Sequence, residues 1–181
     1  MSRFRRAAAA LVVAFLGLGL EAAEPSGTTP EGTGTATTVV LVRHAEKTYR
    51  NRDSDLSGIG RKRAEALVAE LRPLAPEALY ASSMRRTQQT LAPLAASLHL
   101  EVTVRSIGDE EAVAAEILAR HRGGVVVVCG HSETLTRFVS ALGWDGDFPV
   151  VQAFDRIWTV TVPTSGAAVS LAERRQGFVQ R

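Results

Sequence analysis

The sequence predicts an α/β fold: a three-layer sandwich with a mostly parallel sheet, helices on both faces and an antiparallel edge. Three observations predict it. Apolar, β-branched runs at residues 39–42 and 125–129 are short and read as fully buried strands. Stretches with helical spacing alternate with such runs, the pattern of a parallel sheet covered on both sides. The end of the chain departs from that pattern. Residues 156–162 and 167–172 flank Pro163-Thr164-Ser165-Gly166 and read as a hairpin.

The elements follow in order. After the strand at 39–42, a loop runs through Asp55. A helix over 60–71 carries Ala64, Leu67, Val68 and Leu71 on one face and ends before Pro73. A short strand at 78–81 leads into a helix over 84–98, and 100–104 is the next strand. A helix over 109–120 has Asp109 as its cap and turns Val113, Ile117 and Leu118 inward. The strand at 125–129 precedes a helix over 134–142 that Ser132 is placed to cap.

The N-terminus is a separate matter. Arg3, Arg5 and Arg6 precede an apolar stretch over 7–20, followed by Glu21-Ala22-Ala23. This is the layout of an export signal, and the stretch is short for a membrane span. Residues 1–23 are therefore expected to be a signal peptide, with an uncleaved anchor as the alternative. Residues 24–37, rich in Thr, Gly and Pro, read as a flexible tether, and 38–181 as the domain. A periplasmic or secreted protein follows, with no stable membrane association after cleavage.

Charge excludes one class of partner. The 181 residues hold 21 basic and 19 acidic side chains. The first 23 residues take three Arg and one Glu of these, leaving 18 of each sign. No basic stripe remains, so no nucleic-acid partner is expected. The single Cys129 lies inside an all-valine run and reads as core. No ligand spacing of zinc type appears, and neither a metal nor another cofactor is expected.

Chemistry gathers where the strands end. The 39–42 run stops at Arg43-His44, and strand ends are the usual ligand site of an open α/β sheet. Imidazole is a nucleophile at neutral pH, and a guanidinium holds a phosphate through two parallel hydrogen bonds. Taken alone, the pair reads equally well as two residues ending a strand. The 125–129 run ends likewise, in Gly130-His131-Ser132. Between them Ser82-Ser83-Met84-Arg85-Arg86-Thr87-Gln88-Gln89-Thr90 places two arginines where a helix begins. His99 and His121 read as non-catalytic, the latter at a helix end that favours positive charge.

Four segments in order resemble the histidine phosphatase superfamily, the phosphoglycerate mutase-like proteins. Arg43-His44-Ala45-Glu46 is similar to the first motif, with Ala45 where many members have Gly. Asp55-Leu56-Ser57-Gly58-Ile59-Gly60-Arg61-Lys62-Arg63-Ala64 resembles the second, one residue shorter between Asp and Leu. The segment Ser82 to Thr90 resembles the third, and Gly130-His131-Ser132 the fourth. The resemblance implies a phosphoglycerate mutase-like fold and a metal-independent phosphatase. It casts His44 as the nucleophile that carries a phosphohistidine, and Arg43, Arg86 and His131 as phosphate ligands. Arg86, not Arg85, aligns with the second phosphate-binding arginine. His131 counts among the catalytic residues.

A proton donor for the leaving oxygen is harder to place. Relatives often supply a Glu about two dozen residues after the second arginine, which leads to Asp109-Glu110-Glu111 and to Glu110. The competing reading is that these acids favour a helix N-terminus. Glu46 is a second candidate, or a residue that orients the pocket. Lys47 either adds charge near the phosphate or is solvated.

The expected partner is a small phosphorylated substrate, and the expected reaction is hydrolysis of a phosphomonoester. The alternatives are a phosphohistidine-protein phosphatase, a phosphoglycerate mutase and a non-catalytic phosphate-binding module. The last would be expected to lack His44 or His131, and both are present.

Overall fold

The computed structural model describes residues 36–49, 53–149 and 152–178. The expected signal peptide lies outside them, as does the tether except for its last two residues. Those two, Ala36 and Thr37, already belong to the first strand, β1 (Ala36–Arg43). Thr37 is buried, and its hydroxyl accepts the Gly123 N–H at 3.0 Å, so the domain starts earlier than its apolar run.

The remaining elements alternate as expected: α1 (Gly58–Leu71), β2 (Ala78–Ser82), α2 (Arg85–Leu98), β3 (Val102–Arg105), α3 (Glu110–Arg120), β4 (Val125–Gly130) and α4 (Ser132–Ala141). The hairpin β5 (Arg156–Pro163) and β6 (Ser170–Arg175) follows. The strand order is β3-β2-β4-β1-β5-β6. The first four strands run parallel, β5 is antiparallel to β1, and β6 is antiparallel to β5. The fold is the phosphoglycerate mutase-like sandwich that the sequence predicts.

The period of two along each strand builds the two outer layers. Val39 and Leu41 of β1, with Val126 and Val128 of β4, face α3 and α4, meeting Val113, Ile117, Leu135 and Phe138. Val40 and Val42, with Val127 and Cys129, face α1 and α2, meeting Leu67, Leu71, Leu91 and Leu94. Both faces are dry, which is why these strands are apolar throughout instead of alternating. Cys129 is buried in the second cluster, as its place in the valine run implied.

Several boundaries shift by two or three residues, and two of the shifts have a plain cause. Helix α4 begins at Ser132, and its cap is His131, not Ser132. His131 keeps extended backbone (φ −120°, ψ 166°), and its N–H donates to Thr134 Oγ1 at 2.7 Å. Strand β6 starts three residues later than expected, because the pairing of Thr161 with Ser170 sets its register. Its outer half, Glu173-Arg174-Arg175, is too polar to read as a strand from composition.

Candidate active site

Neighbouring parallel strands bring the two histidines together. Arg43 and Gly130 are register partners at the ends of β1 and β4, so His44 and His131 leave the sheet side by side. Their ring centroids lie 5.2 Å apart, and both side chains are buried. A Cβ at Gly130 would meet Thr134 Oγ1 at 2.8 Å. The absence of a side chain there lets α4 start immediately beyond the strand.

The hydrogen bonds assign each ring its tautomer. His44 Nδ1 lies 2.8 Å from the Ala45 carbonyl oxygen, which can only accept. Nδ1 therefore carries the proton and donates it, and Nε2 keeps its lone pair. At His131, an Arg86 N–H donates to Nδ1 at 3.2 Å, and a guanidinium can only donate. In the neutral ring Nε2–H then donates to Ser82 Oγ at 2.9 Å. Ser82 donates in turn to Thr87 Oγ1 at 2.9 Å, whose own hydroxyl donates to the Met84 carbonyl at 2.7 Å.

Both rings are neutral. Burial pulls His44 down to about 3 from the ordinary value near 6.5, and the charges of Arg86 and Arg43 add to it. His131 falls to about 4, again through burial first and Arg86 second.

A cleft of about 650 Å³ opens over this pair. Arg43, His44, Lys47, Arg86, His131 and Arg137 are among its walls. The Arg43 guanidinium stacks on Phe154 with its carbon 4.3 Å from the ring centroid, and it donates to the Gln152 carbonyl. Arg86 sits in the first turn of α2, where that helix directs it at His131. Arg85 turns the other way: it pairs with the carboxylate of Asp55, and its backbone N–H donates to Asp53 at 2.8 Å.

The motif residues that do not line the cleft hold the loop that does. Ser57 caps α1 by accepting the Gly60 N–H at 3.0 Å. Gly60 packs against the backbone of Glu46; a Cβ there would lie 2.1 Å from the Glu46 carbonyl oxygen. Arg63 grips the Glu46 carboxylate through Nε and Nη2, at 2.7 to 3.0 Å. Thr90 accepts the Ala45 N–H at 3.0 Å and donates to the Arg86 carbonyl at 2.7 Å, tying the loop after His44 to α2. Gln89 donates to Asp55 at 2.7 Å and accepts the Leu56 N–H at 2.8 Å.

Glu110, the expected proton donor, stands beside the cleft. Its side chain is 9% exposed and lines a small apolar pocket beside the cleft, with Tyr80, Val113 and Phe138, not the cleft itself. Arg137 Nε donates to one carboxylate oxygen at 2.9 Å and the Gly108 N–H to the other at 3.0 Å. Burial pushes its pKa up, but these hydrogen bonds outweigh it and hold the group below the usual carboxylate range. Both carboxylate oxygens are thus occupied by partners outside the cleft. Glu46 is likewise occupied, by Arg63.

Three residues of the site escaped sequence reading. Phe154 lies in a loop with no periodicity. Glu133 and Arg137 both line the cleft. The signal for these two was present: they stand four apart on the helix that His131 opens, a spacing that shares one face.

The remaining histidines serve the scaffold. His99 ends α2 in the left-handed region (φ 56°). His121 accepts from the Tyr80 hydroxyl at 3.1 Å and donates to Glu77 at 2.8 Å. Among the described residues, no group of three or more His, Cys, Asp or Glu side chains is placed to hold a metal ion.

With this geometry in place, the relatives are informative. A family model described as histidine phosphatase superfamily (branch 1) matches residues 39–107, from β1 past β3. The resemblance to that superfamily holds in sequence and in fold. A structure of the protein histidine phosphatase SixA complexed with tungstate aligns with a TM-score of 0.65 at 21% identity, covering 77% of this chain and 97% of that one. A mycobacterial glucosyl-3-phosphoglycerate phosphatase complexed with VO3 aligns at 0.57 and 18% identity, covering 76% and 97%. A putative α-ribazole-5′-P phosphatase from Escherichia coli K-12 aligns at 0.60 and 14% identity, covering 80% and 100%. The comparison with curated proteins found no match. The aligned part of this chain spans nearly the whole length of these solved relatives.

Proposed function

We propose that this chain hydrolyses a phosphomonoester through a phosphohistidine on His44. One observation carries the reading. The Ala45 carbonyl holds the Nδ1 proton, so a neutral His44 presents an unprotonated Nε2 in a cleft walled by Arg43, Arg86 and His131. The lone pair of Nε2 attacks phosphorus, forming the P–N bond as the P–O bond to the alcohol breaks. Charge that spreads over the phosphoryl oxygens meets the two guanidiniums, one of which, Arg86, is held in place by His131. Water then attacks phosphorus, the P–N bond breaks, and Nε2 regains its lone pair. Burial of both rings and the fixed hydrogen bonds prepare these groups in advance, so little reorganisation accompanies the reaction.

The relatives support the class of reaction. Two are phosphatases by description, and the tungstate and VO3 bound in SixA and in the mycobacterial enzyme are tetrahedral or trigonal oxyanions resembling phosphate. The likeness to SixA favours a second reading, hydrolysis of a protein phosphohistidine.

The test is turnover of p-nitrophenyl phosphate in excess EDTA, with enzyme quenched in alkaline detergent during turnover. Wild-type protein is expected to carry an acid-labile, base-stable phosphate, and His44→Ala protein none. Full turnover by folded His44→Ala protein overturns the mechanism.

A further inference from the structure

A phosphomonoester of an ordinary alcohol leaves as an alkoxide unless a proton reaches its oxygen. Two candidate acids for this role are engaged elsewhere. Glu110 is held by Arg137 and Gly108 away from the cleft, and Glu46 is gripped by Arg63. Among the described residues that line the cleft, Glu133 is the one carboxylate.

Its position suits the task. Glu133 stands two residues after His131, in the first turn of α4, and its side chain is solvent-exposed. Its charge acts on Arg43, Arg86 and His131, so it sits near all three groups that would hold the phosphoryl oxygens. Among the described residues it is the one acid in a cleft otherwise lined by cations and neutral groups. Arg137, one turn later, is already bonded to Glu110 through Nε.

The geometry points to Glu133 as the acid and base of the reaction, an assignment that rests on the phosphatase reading above. In the first step, His44 Nε2 bonds to phosphorus, the P–O bond breaks, and the leaving oxygen takes the proton of the Glu133 carboxyl. In the second, the Glu133 carboxylate takes a proton from water as the water oxygen bonds to phosphorus and the P–N bond breaks. The acid is regenerated and the sum is ester plus water to alcohol plus phosphate.

A leaving-group comparison tests this. Glycerol 3-phosphate needs protonation of its leaving oxygen; p-nitrophenyl phosphate does not. In Glu133→Gln protein, kcat/KM for glycerol 3-phosphate is expected to fall by about 10²-fold or more, the low end of general acid catalysis. The loss of kcat/KM on the aryl ester should be at least about tenfold smaller than on the alkyl ester. The aryl ester should also show a burst of nitrophenolate, because the phosphoenzyme accumulates without its base. Glu133→Asp should recover part of the alkyl activity. Equal losses on both esters overturn the assignment, as does wild-type protein that cleaves the aryl ester and not the alkyl one. If neither ester is cleaved by wild-type protein, the phosphatase reading itself fails. Glu133 is exposed and the replacement isosteric, so folding is not at issue.

Discussion

The backbone N–H of His44 donates to the Gly130 carbonyl oxygen at 3.0 Å, the last rung of the β1–β4 ladder. One hydrogen bond thus locks His44 to the residue that precedes the second histidine. A slip of one residue in this pairing would turn His44 to the opposite face of the sheet. The two-histidine site is a property of the register, and the dry packing on both faces of β1 and β4 fixes that register.

The two arginines that open α2 should behave differently. Arg86 bonds to His131 and lines the cleft, so Arg86→Ala is expected to cost about 3 kcal/mol in kcat/KM, typical of a lost transition-state donor. Arg85 makes an exposed pair with Asp55, and Arg85→Ala should change stability and activity by about 1 kcal/mol or less. Steady-state kinetics on the two variants decides; a larger loss for Arg85→Ala rejects the placement.

Two glycines in one turn of α1 make a matched pair. A methyl at Gly60 runs into the Glu46 carbonyl oxygen, a backbone atom that cannot swing aside, whereas a methyl at Gly58 meets nothing within 4 Å. Gly60→Ala should destabilise by about 3 kcal/mol, at the upper end of overpacking. It should also lower kcat, because Glu46 lies two residues from His44. Gly58→Ala should be neutral or slightly stabilising. Urea denaturation of both, with kinetics on Gly60→Ala, provides the check.

The Arg63–Glu46 pair joins three parts of the chain. Gln176, itself buried, donates to the Arg63 carbonyl at 3.0 Å, and the Arg63 guanidinium stacks on Phe178. Arg63→Ala strands a mostly buried carboxylate and is expected to cost about 3 kcal/mol. Gln176→Ala, which removes a neutral partner, should cost about 1 kcal/mol. A denaturation midpoint for Arg63→Ala equal to that of the wild type would mean that Glu46 finds water instead.

Stability should depend on pH through the two site histidines. In the folded protein they lie near 3 and 4; in the unfolded chain both return to about 6.5. Between these limits the unfolded chain binds more protons, so stability rises with pH there. Their contribution is complete above about pH 6.5 and is lost as the pH falls towards 3. A His44→Asn/His131→Asn double variant should therefore lose less stability between pH 7 and pH 5 than the wild type. Parallel loss in both proteins would show that the rings are not the cause.

Much of this was legible because buried parallel strands leave a plain mark. The valine runs at β1 and β4 end sharply at Arg43-His44 and Gly130-His131, and polar groups at such a boundary have few roles other than binding. Glu110 turns from the cleft for a physical reason. Counting along the chain from Arg86 reaches the start of α3, but the partner that removes Glu110 from the site is Arg137, 27 residues further on. Nothing local announces that contact. Helix α4 was shortened in the reading because His131 caps it through extended backbone, a role that Ser132 fits better by residue type. Phe154, which carries the Arg43 guanidinium, has no signal beyond being aromatic in a loop.

The sheet order has a consequence for synthesis. β1 leaves the ribosome first, yet its neighbours are β4 and β5, which end at Gly130 and Pro163. A nascent chain halted before Val125 offers the Val39-Val40-Leu41-Val42 segment no partner strand at all. That segment combines strong strand preference with no charge, the composition most prone to pair with a stranger. The strand that bears His44 is therefore the first strand made and among the last to meet its neighbours.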